Sequence, residues 1–466
     1  MPPSLVDTPG TLRPMLRLAV PVLVEQSLHV LVGFSDTILA GQYLSTSELA
    51  AMGMLNYVLW TIETCFAIVA VGSTAVIARS IGAGDAQAAR CAAHQSFLLG
   101  IVLAAVLMAA GFALTDRLVA ALALTGDAAD SAARYLRFLL AILPLMMAEF
   151  VGIACLRAAG DTVAGLTVMF VANCINVAVS WSLVRGVAVL GIPRLGWDGL
   201  AIGTSLSFSF AGIAILVMLA RGRAGLKITW RELRPHRATM RRLLRVGLPG
   251  GGDQLAIVFC HLLYVRAING LGELATAAHG VGVRIESMAY LPGFAFHVAA
   301  QTLVGQFLGA GDPRRAARSA LVTLGVGGGL MIASGAVMYF APDLLTRLFI
   351  NPNEGDVRAL ANRLLPIVGV GMPALAVVSI LGGALRGAGD TRLPIVFTFV
   401  GLIVVRLPLC YWLAYETISL PFFETPLSGQ NLGVVGAWYA MVIDATVRCV
   451  LVGARFWQGG WRKAKV

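Results

Sequence analysis

The chain repeats itself, and that repeat constrains the architecture more than any other feature. AVPVLVEQSL at 19–28 matches GLPGGGDQLA at 247–256, setting Pro21 over Pro249, Glu25 over Asp253 and Gln26 over Gln254. ARSIGAGD at 78–85 matches GQFLGAGD at 305–312. CLRAAGDT at 155–162 matches ALRGAGDT at 384–391, with Pro144 and Pro373 each twelve residues before the matched leucine. The three offsets are 228, 227 and 229 residues, so the halves are copies of one ancestral unit. Each half holds six apolar runs of the length that crosses a bilayer as one helix, about 20 residues. Six is even, so both copies run the same way through the membrane, related by an axis along its normal.

The runs fall at about 15–40, 52–80, 91–114, 133–157, 163–185, 198–220, 246–268, 277–308, 317–340, 358–385, 393–415 and 434–456. They predict an all-α integral membrane protein with twelve transmembrane helices in two six-helix bundles: an N-lobe (1–220), a basic cytoplasmic linker (221–245) and a C-lobe (246–466). With 58% hydrophobic and 13% charged residues the chain does not read as a soluble enzyme, and the alternation of a membrane barrel is missing. Its 52 glycines suit closely packed helices. The net charge of +11 does not call for nucleic acid, because the basic residues sit in short loops. Arg13, Arg17, Arg90, the run Arg221–Arg245 (Arg231 included, against a lone Glu232), Arg314, Arg315, Arg392, Arg462, Lys463 and Lys465 fall on one side. Asp116, Asp127, Asp130, Glu273, Asp343, Glu354, Asp356, Glu416 and Glu424 fall on the other. Positive loops stay inside, so both termini are expected in the cytoplasm, with an uncleaved start, in a multi-pass protein of the cell inner (plasma) membrane. The seven scattered cysteines show no CxxC spacing, and neither a disulfide framework nor a zinc site is expected.

Polar residues inside the apolar runs are the candidates for function. The first run, Leu18 to Gly41, carries Glu25, Gln26, His29 and Asp36. At 3.6 residues per turn Glu25, His29 and Asp36 share one helix face. A carboxylate at the bilayer centre costs about 2.5–3.5 kcal/mol on insertion scales, so such residues usually face a cavity. Glu63 and Glu149 add two more acids to the first half, and no Lys or Arg falls mid-span beside them. Unpaired acids in a water-reachable cavity attract cations and exchange protons. Asn173 and Asn176 share a face from which they can hydrogen-bond these acids, or simply hold helices together. In the second half Asp253 stands one turn past Pro249, and Tyr264 falls on its face, where an aromatic ring either stacks on a cation or packs. Asp444 and Arg448, at i and i+4, are expected to neutralise each other, and Arg284, Glu286 and Arg406 likewise. The four Gly-Asp turns read as structural: glycine ends one helix and aspartate caps the next, with Arg157 and Arg386 at the preceding helix ends. Gly250 to Gly252 form no phosphate loop, and no GxSxG or HExxH occurs.

These segments together resemble the multidrug and toxic compound extrusion (MATE) family of secondary transporters. The resemblance rests on GFSDTILAG (33–41), GSTAVIARSIGAGD (72–85), LRAAGDT (156–162), NCINVAVS (173–180), the long stretch 274–312 and LRGAGDTR (385–392), over nearly the whole chain. It implies two six-helix bundles around a central cavity and export of cationic, often aromatic compounds in exchange for H⁺ or Na⁺, with no bound cofactor. Asp36 matches the family's first-helix Asp, implicated in ion coupling, and Asn176 an Asn of the same network, so Na⁺ at Asp36 and Asn176 is one reading. Ser180 stands where a further Asp is expected. The seventh- and tenth-helix acids of the Na⁺-coupled branch are replaced by IVF (257–259) and ALA (374–376), which favours protons and makes Asp253 the substitute candidate. The expected partners are small cationic substrates and the lipid bilayer, with the chain a monomer. The rival readings are a flippase for a lipid-linked saccharide, which would want a basic cavity, a membrane-embedded enzyme, and a passive channel.

Overall fold

The computed structural model describes residues 5–6, 8–121, 126–187, 191, 193–229, 234–351, 353–418 and 427–464. Arg231, Glu232, Glu424, Lys465 and the first four residues, which entered the charge and terminus readings above, lie outside the described residues.

Long apolar runs become helices because a backbone in hydrocarbon must satisfy its own polar groups. The first half comprises α1 (Leu12–Tyr43), α2 (Thr46–Gly82), α3 (Ala86–Ala121), α4 (Asp127–Ala141), α5 (Leu143–Ala158), α6 (Thr162–Arg185) and α7 (Trp197–Ala220). The second comprises α8 (Arg237–Asn269), α9 (Glu273–Gly309), α10 (Pro313–Phe340), the short α11 (Pro342–Arg347), α12 (Gly355–Gly387), α13 (Arg392–Phe399), α14 (Leu407–Ala414) and α15 (Gly433–Gln458). Ten described helices are long and apolar enough to cross a membrane, and α4 with α5 makes an eleventh span. The twelfth is α9, 37 residues long with Arg284 and Glu286 along it. The chain is thus a twelve-span helical membrane protein in two bundles.

Three departures from the expected spans have local causes. The fourth is not one rod: α4 and α5 meet at Ile142 with a 59° bend, just before Pro144, whose ring lacks the N–H an unbroken helix would need. The eleventh is interrupted by a π-helical segment, Val400–Arg406, between α13 and α14. The seventh begins nine residues early, so Arg237 to Arg245 are the first turns of α8. The start of α2 carries a cap that was not read from the sequence. Ser45 Oγ accepts from the Glu48 amide (3.3 Å) while the Glu48 carboxylate accepts from the Ser45 amide (2.8 Å), a reciprocal cap for α2.

All four Gly-Asp turns lie at one end of the molecule and share a construction. Gly84, Gly160, Gly311 and Gly389 have φ of +74°, +90°, +77° and +85°, a region where a side chain is strained. The amides of Asp85, Asp161, Asp312 and Asp390 each reach back five residues to a helix carbonyl. Asp85, Asp161 and Asp312 then cap the following helix through Ala88, Ala164 and Arg315. Asp390 does not; its carboxylate accepts from Arg455 Nε (2.8 Å).

The halves are joined at this Gly-Asp end. Gly82 of α2 lies against the backbone of Gln306 in α9, and Gly309 against the backbone of Arg79. These pairs are equivalent at the repeat offset of 227, so the crossing is self-complementary in the manner of a two-fold dimer. Gln306 Nε2 donates to the Ala158 carbonyl (2.9 Å), and Arg79 Nη1 to Ala388 (3.3 Å) and Ala464 (2.8 Å). The N-terminal segment crosses to the other half, where Arg315 donates to the carbonyls of Val6 (2.6 Å), Thr8 and Gly10 (3.0 Å). Met15, Leu18 and Ala19 of α1 are buried with Ala299, Leu303 and Phe307 of α9.

Candidate functional site

Helical spacing lines two adjoining cavities. Along α2, Trp60, Glu63, Ala67, Val71 and Thr74 recur every three or four residues; along α5, Met146, Glu149, Ile153 and Arg157 do the same. Both stripes face a central cavity of about 380 Å³, closed on the other side by Phe294, His297 and Gln301 of α9 and Arg386 of α12. Glu25, Gln26 and His29 of α1 line it too. A second cavity of about 300 Å³ lies within the first bundle, between α1, α2, α4 to α7, and is lined by Asp36, Asn173, Asn176, Tyr135 and Thr204 among others. His29, Trp60, Glu63, Glu149, Met169 and Phe208 border both, so the cavities share a wall.

The inner-bundle cavity is built as an acceptor site. Thr204 Oγ1 accepts from Tyr135 OH and from Asn176 Nδ2, each at 3.3 Å. That fixes the Asn176 amide so that its Oδ1 remains open. Asp36 is 7% exposed, and its Oδ1, the Asn176 Oδ1 and Glu149 Oε2 have no donor among the described residues. Three acids line this cavity (Asp36, Glu63 and Glu149), and its lining contains no Lys or Arg. Buried acceptors are normally satisfied; three of the unsatisfied ones belong to residues that line this hollow. Within the described residues no cluster of three or more His, Cys, Asp or Glu is arranged to hold a metal ion.

The predicted site residues therefore divide. Asp36, Asn173, Asn176, Glu63 and Glu149 are brought together, while Gln26 and His29 face the central cavity. Glu25 does not join Asp36 as an unpaired acid. Arg157, read above as a helix-end residue, turns inward and holds Glu25 Oε1 through Nη2 at 2.5 Å. Asp253 is likewise bound, by Arg386. The two ion pairs are copies, because Glu25 matches Asp253 and Arg157 matches Arg386. Tyr264 is 1% exposed in the second-bundle core, its hydroxyl donating to the Ala437 carbonyl (2.8 Å) and the Arg406 guanidinium 5.5 Å from its ring; it faces neither cavity. The expected Asp444–Arg448 pair is present (2.7 Å), and Arg406 joins Asp444 at 2.7 Å rather than bridging to Glu286. Arg157, Arg386, Gln301, Tyr135 and Thr204 were not singled out as lining residues. For the two arginines the signal was available, since each recurs at the offset that relates the two acids.

Comparison with known proteins places this geometry in context. The MatE family profile matches residues 21–182 and 249–412, one match per repeat. The probable multidrug resistance protein NorM of Thermotoga maritima is 29% identical over 99% of this chain and 95% of its own length. A crystal structure of MATE in complex with MaL6 superposes with a TM-score of 0.88 at 22% identity, covering 99% of both chains. An outward-facing multidrug resistance MATE family transporter of the MOP superfamily superposes with a TM-score of 0.87 at 22% identity, over 99% of this chain and 98% of that one.

Proposed function

This chain belongs to the MatE family of multidrug transporters, and from that membership we propose that it exports cationic, amphipathic or aromatic compounds in exchange for a proton, by alternating access. The observation that carries the proposal is the inner-bundle cavity, where Asp36, Glu63 and Glu149 meet open acceptors with no Lys or Arg in the lining. Such a hollow holds positive charge, either as an organic cation or as a proton on a carboxylate. It does not hold both at full strength, because one proton removes the charge that attracts the other ligand. Coupling follows from that competition: a proton entering from outside weakens the hold on the passenger, and its departure inside restores it. The same acceptors, Asp36 and Asn176, suit Na⁺ as the alternative driving ion.

The basic bias of the loops supports placing the Gly-Asp end in the cytoplasm of a cell inner membrane. The seal between α2 and α9 then closes the cytoplasmic side.

The test is efflux of a fluorescent organic cation from proteoliposomes under an imposed pH gradient, and separately an Na⁺ gradient. Asp36→Asn is expected to lose gradient-driven efflux while still binding the cation. Coupled efflux at the wild-type rate in Asp36→Asn refutes the proposal, and efflux driven by Na⁺ alone replaces the proton with Na⁺.

A further inference from the structure

On the outer surface, away from both cavities, two neighbouring helices of the second half change from arginine to apolar residues near one level. Arg241, Arg245 and Leu248 of α8 stand at i, i+4 and i+7, and Arg392, Val396 and Phe399 of α13 do the same. That spacing puts each set on one helix face, and all six side chains are exposed. The helices lie side by side here: a Cβ on Gly250 would be 3.6 Å from Thr391 Cγ2, and one on Gly252 3.2 Å from Ile395 Cδ1. Gly252 continues the α8 face without a side chain, which leaves that face low beside α13. Because α8 starts ahead of its apolar run, Arg241 and Arg245 stand on a rigid helix, about 6 Å apart along its axis. Among the described residues none of the three arginines has a hydrogen-bond or ion-pair partner. The acids close to them in sequence are taken, Asp390 by Arg455 and Asp253 by Arg386.

The first half repeats the construction. Arg13, Arg17 and Val20 of α1 match Arg241, Arg245 and Leu248, and Thr167 and Phe170 of α6 match Val396 and Phe399, all of them exposed. The difference in charge is Val163, which stands where the second half has Arg392. Exposed arginines at helix ends orient a membrane protein, and that accounts for any one of them. It does not account for two adjoining faces that each run from guanidinium to hydrocarbon. An arginine lays its stem along apolar surface and offers a fork of donors that fits a phosphate. With no free acid beside them, these arginines give a choline or ethanolamine nothing to bind. We propose that the groove between α8 and α13 is a site for an anionic phospholipid of the leaflet on the Gly-Asp side. Arg245 and Arg392 hold its phosphate, and an acyl chain lies along Leu248, Val396 and Phe399. The groove between α1 and α6 is a weaker copy, one guanidinium short.

The test counts lipids on the purified full chain by native mass spectrometry, titrating dioleoylphosphatidylglycerol and, separately, dioleoylphosphatidylcholine in mild detergent. The two carry the same acyl chains, so the ratio of their affinities isolates the headgroup. An arginine near an anionic headgroup contributes about fivefold in affinity, so the two at the groove predict a first phosphatidylglycerol bound about 25-fold more tightly than phosphatidylcholine. Arg392→Gln should cut that preference about fivefold, while unchanged phosphatidylcholine binding in the same sample reports that the variant is folded. Val163→Arg completes the copy in the first half and should add a second phosphatidylglycerol of like affinity. Arginines that only set orientation leave the two lipids bound alike. Equal affinities in the wild type, or a preference unmoved in both variants, overturn the site. Displacement of the bound lipid by inorganic phosphate at equal concentration overturns the part given to the acyl chain.

Discussion

Gly82→Ala tests how the two halves are held together. A Cβ built on Gly82 would stand 2.6 and 2.7 Å from the Gln306 carbonyl carbon and Cα, whereas carbon atoms settle at about 3.5–4.0 Å. The obstacle is backbone, which has no rotamer to change, so α2 and α9 must part by about 1 Å. Overpacking of this kind costs about 1–3 kcal/mol, and here only the state with the Gly-Asp end closed bears the cost. The closed state should therefore lose roughly five- to hundredfold in population relative to the open one. Gly309→Ala strikes the Arg79 backbone from the symmetric side and should act alike. Since either substitution already parts the helices, the double variant should fall short of the sum by more than 0.5 kcal/mol, the usual margin for coupled sites. Gly325→Ala, in a helix with open space around the glycine, is the control and should only gain helix propensity. The assay is alkylation of Ala78→Cys in a cysteine-free chain, because Ala78 is fully buried at this crossing. An alkylation rate in Gly82→Ala no faster than in the Gly325→Ala control, or strict additivity of the two interface variants, refutes the reasoning.

Arg386→Leu leaves the Asp253 side chain, 2% exposed, without its cation and should cost about 3–5 kcal/mol, whereas Asp253→Leu with Arg386→Leu should recover most of that; thermal unfolding in detergent decides, and a double variant as unstable as the single one refutes it. Arg315→Ala releases the carbonyls of Val6, Thr8 and Gly10 and should expose the N-terminal segment to limited proteolysis at least tenfold faster, a reading lost if the cleavage rate is unchanged. Asp161→Ala removes a cap on α6 worth about 1 kcal/mol and should speed amide exchange in the first turn of α6, whereas Asp390→Ala, which breaks the pair with Arg455 but no cap, should leave the first turn of α13 as it was; equal loss of protection in both turns refutes the distinction.

Much of this molecule was legible from residue order because two periodicities reported on it independently. Apolar runs gave the spans, and the repeat offset gave their pairing into halves. The polar stripe of α1 placed Asp36 on a cavity for a physical reason, the cost of a carboxylate facing lipid. What was not legible depended on contacts between helices far apart in sequence. Arg157 is 132 residues from Glu25, and nothing local says whether a helix-end arginine reaches outward to headgroups or back into the protein. The bend at Ile142 has Pro144 beside it in mid-span, but Pro21, Pro249, Pro292 and Pro373 lie inside helices that run on unbroken, so a proline alone does not say which span breaks.

The duplication also shows how the two bundles have come to differ in their polar residues. Carried across at the local offsets, Asp36 corresponds to Tyr264, Glu63 to Tyr290, Glu149 to Val378 and Asn176 to Val405. Each open acceptor of the first bundle is thus replaced by a ring or a branched aliphatic in the second. Tyr264 is fully buried with its hydroxyl satisfied, and it meets His279 edge to face, as His279 in turn meets Trp438. Asp444, fully buried in that region, is held by both Arg406 and Arg448. A carboxylate between two guanidiniums has no call for a passing cation. Starting from equal halves, one bundle keeps Asp36 and Glu149 open around a cavity, and the other sets Tyr264 at the place of Asp36 and holds Asp444 between two arginines. If that division is the basis of coupling, restoring acid in the packed lobe by Tyr264→Asp should destabilise the chain by the several kcal/mol of a lost core ring and a buried charge without adding a second proton per transport cycle. A folded Tyr264→Asp variant with doubled proton stoichiometry would show the second bundle to be a dormant site and not a scaffold.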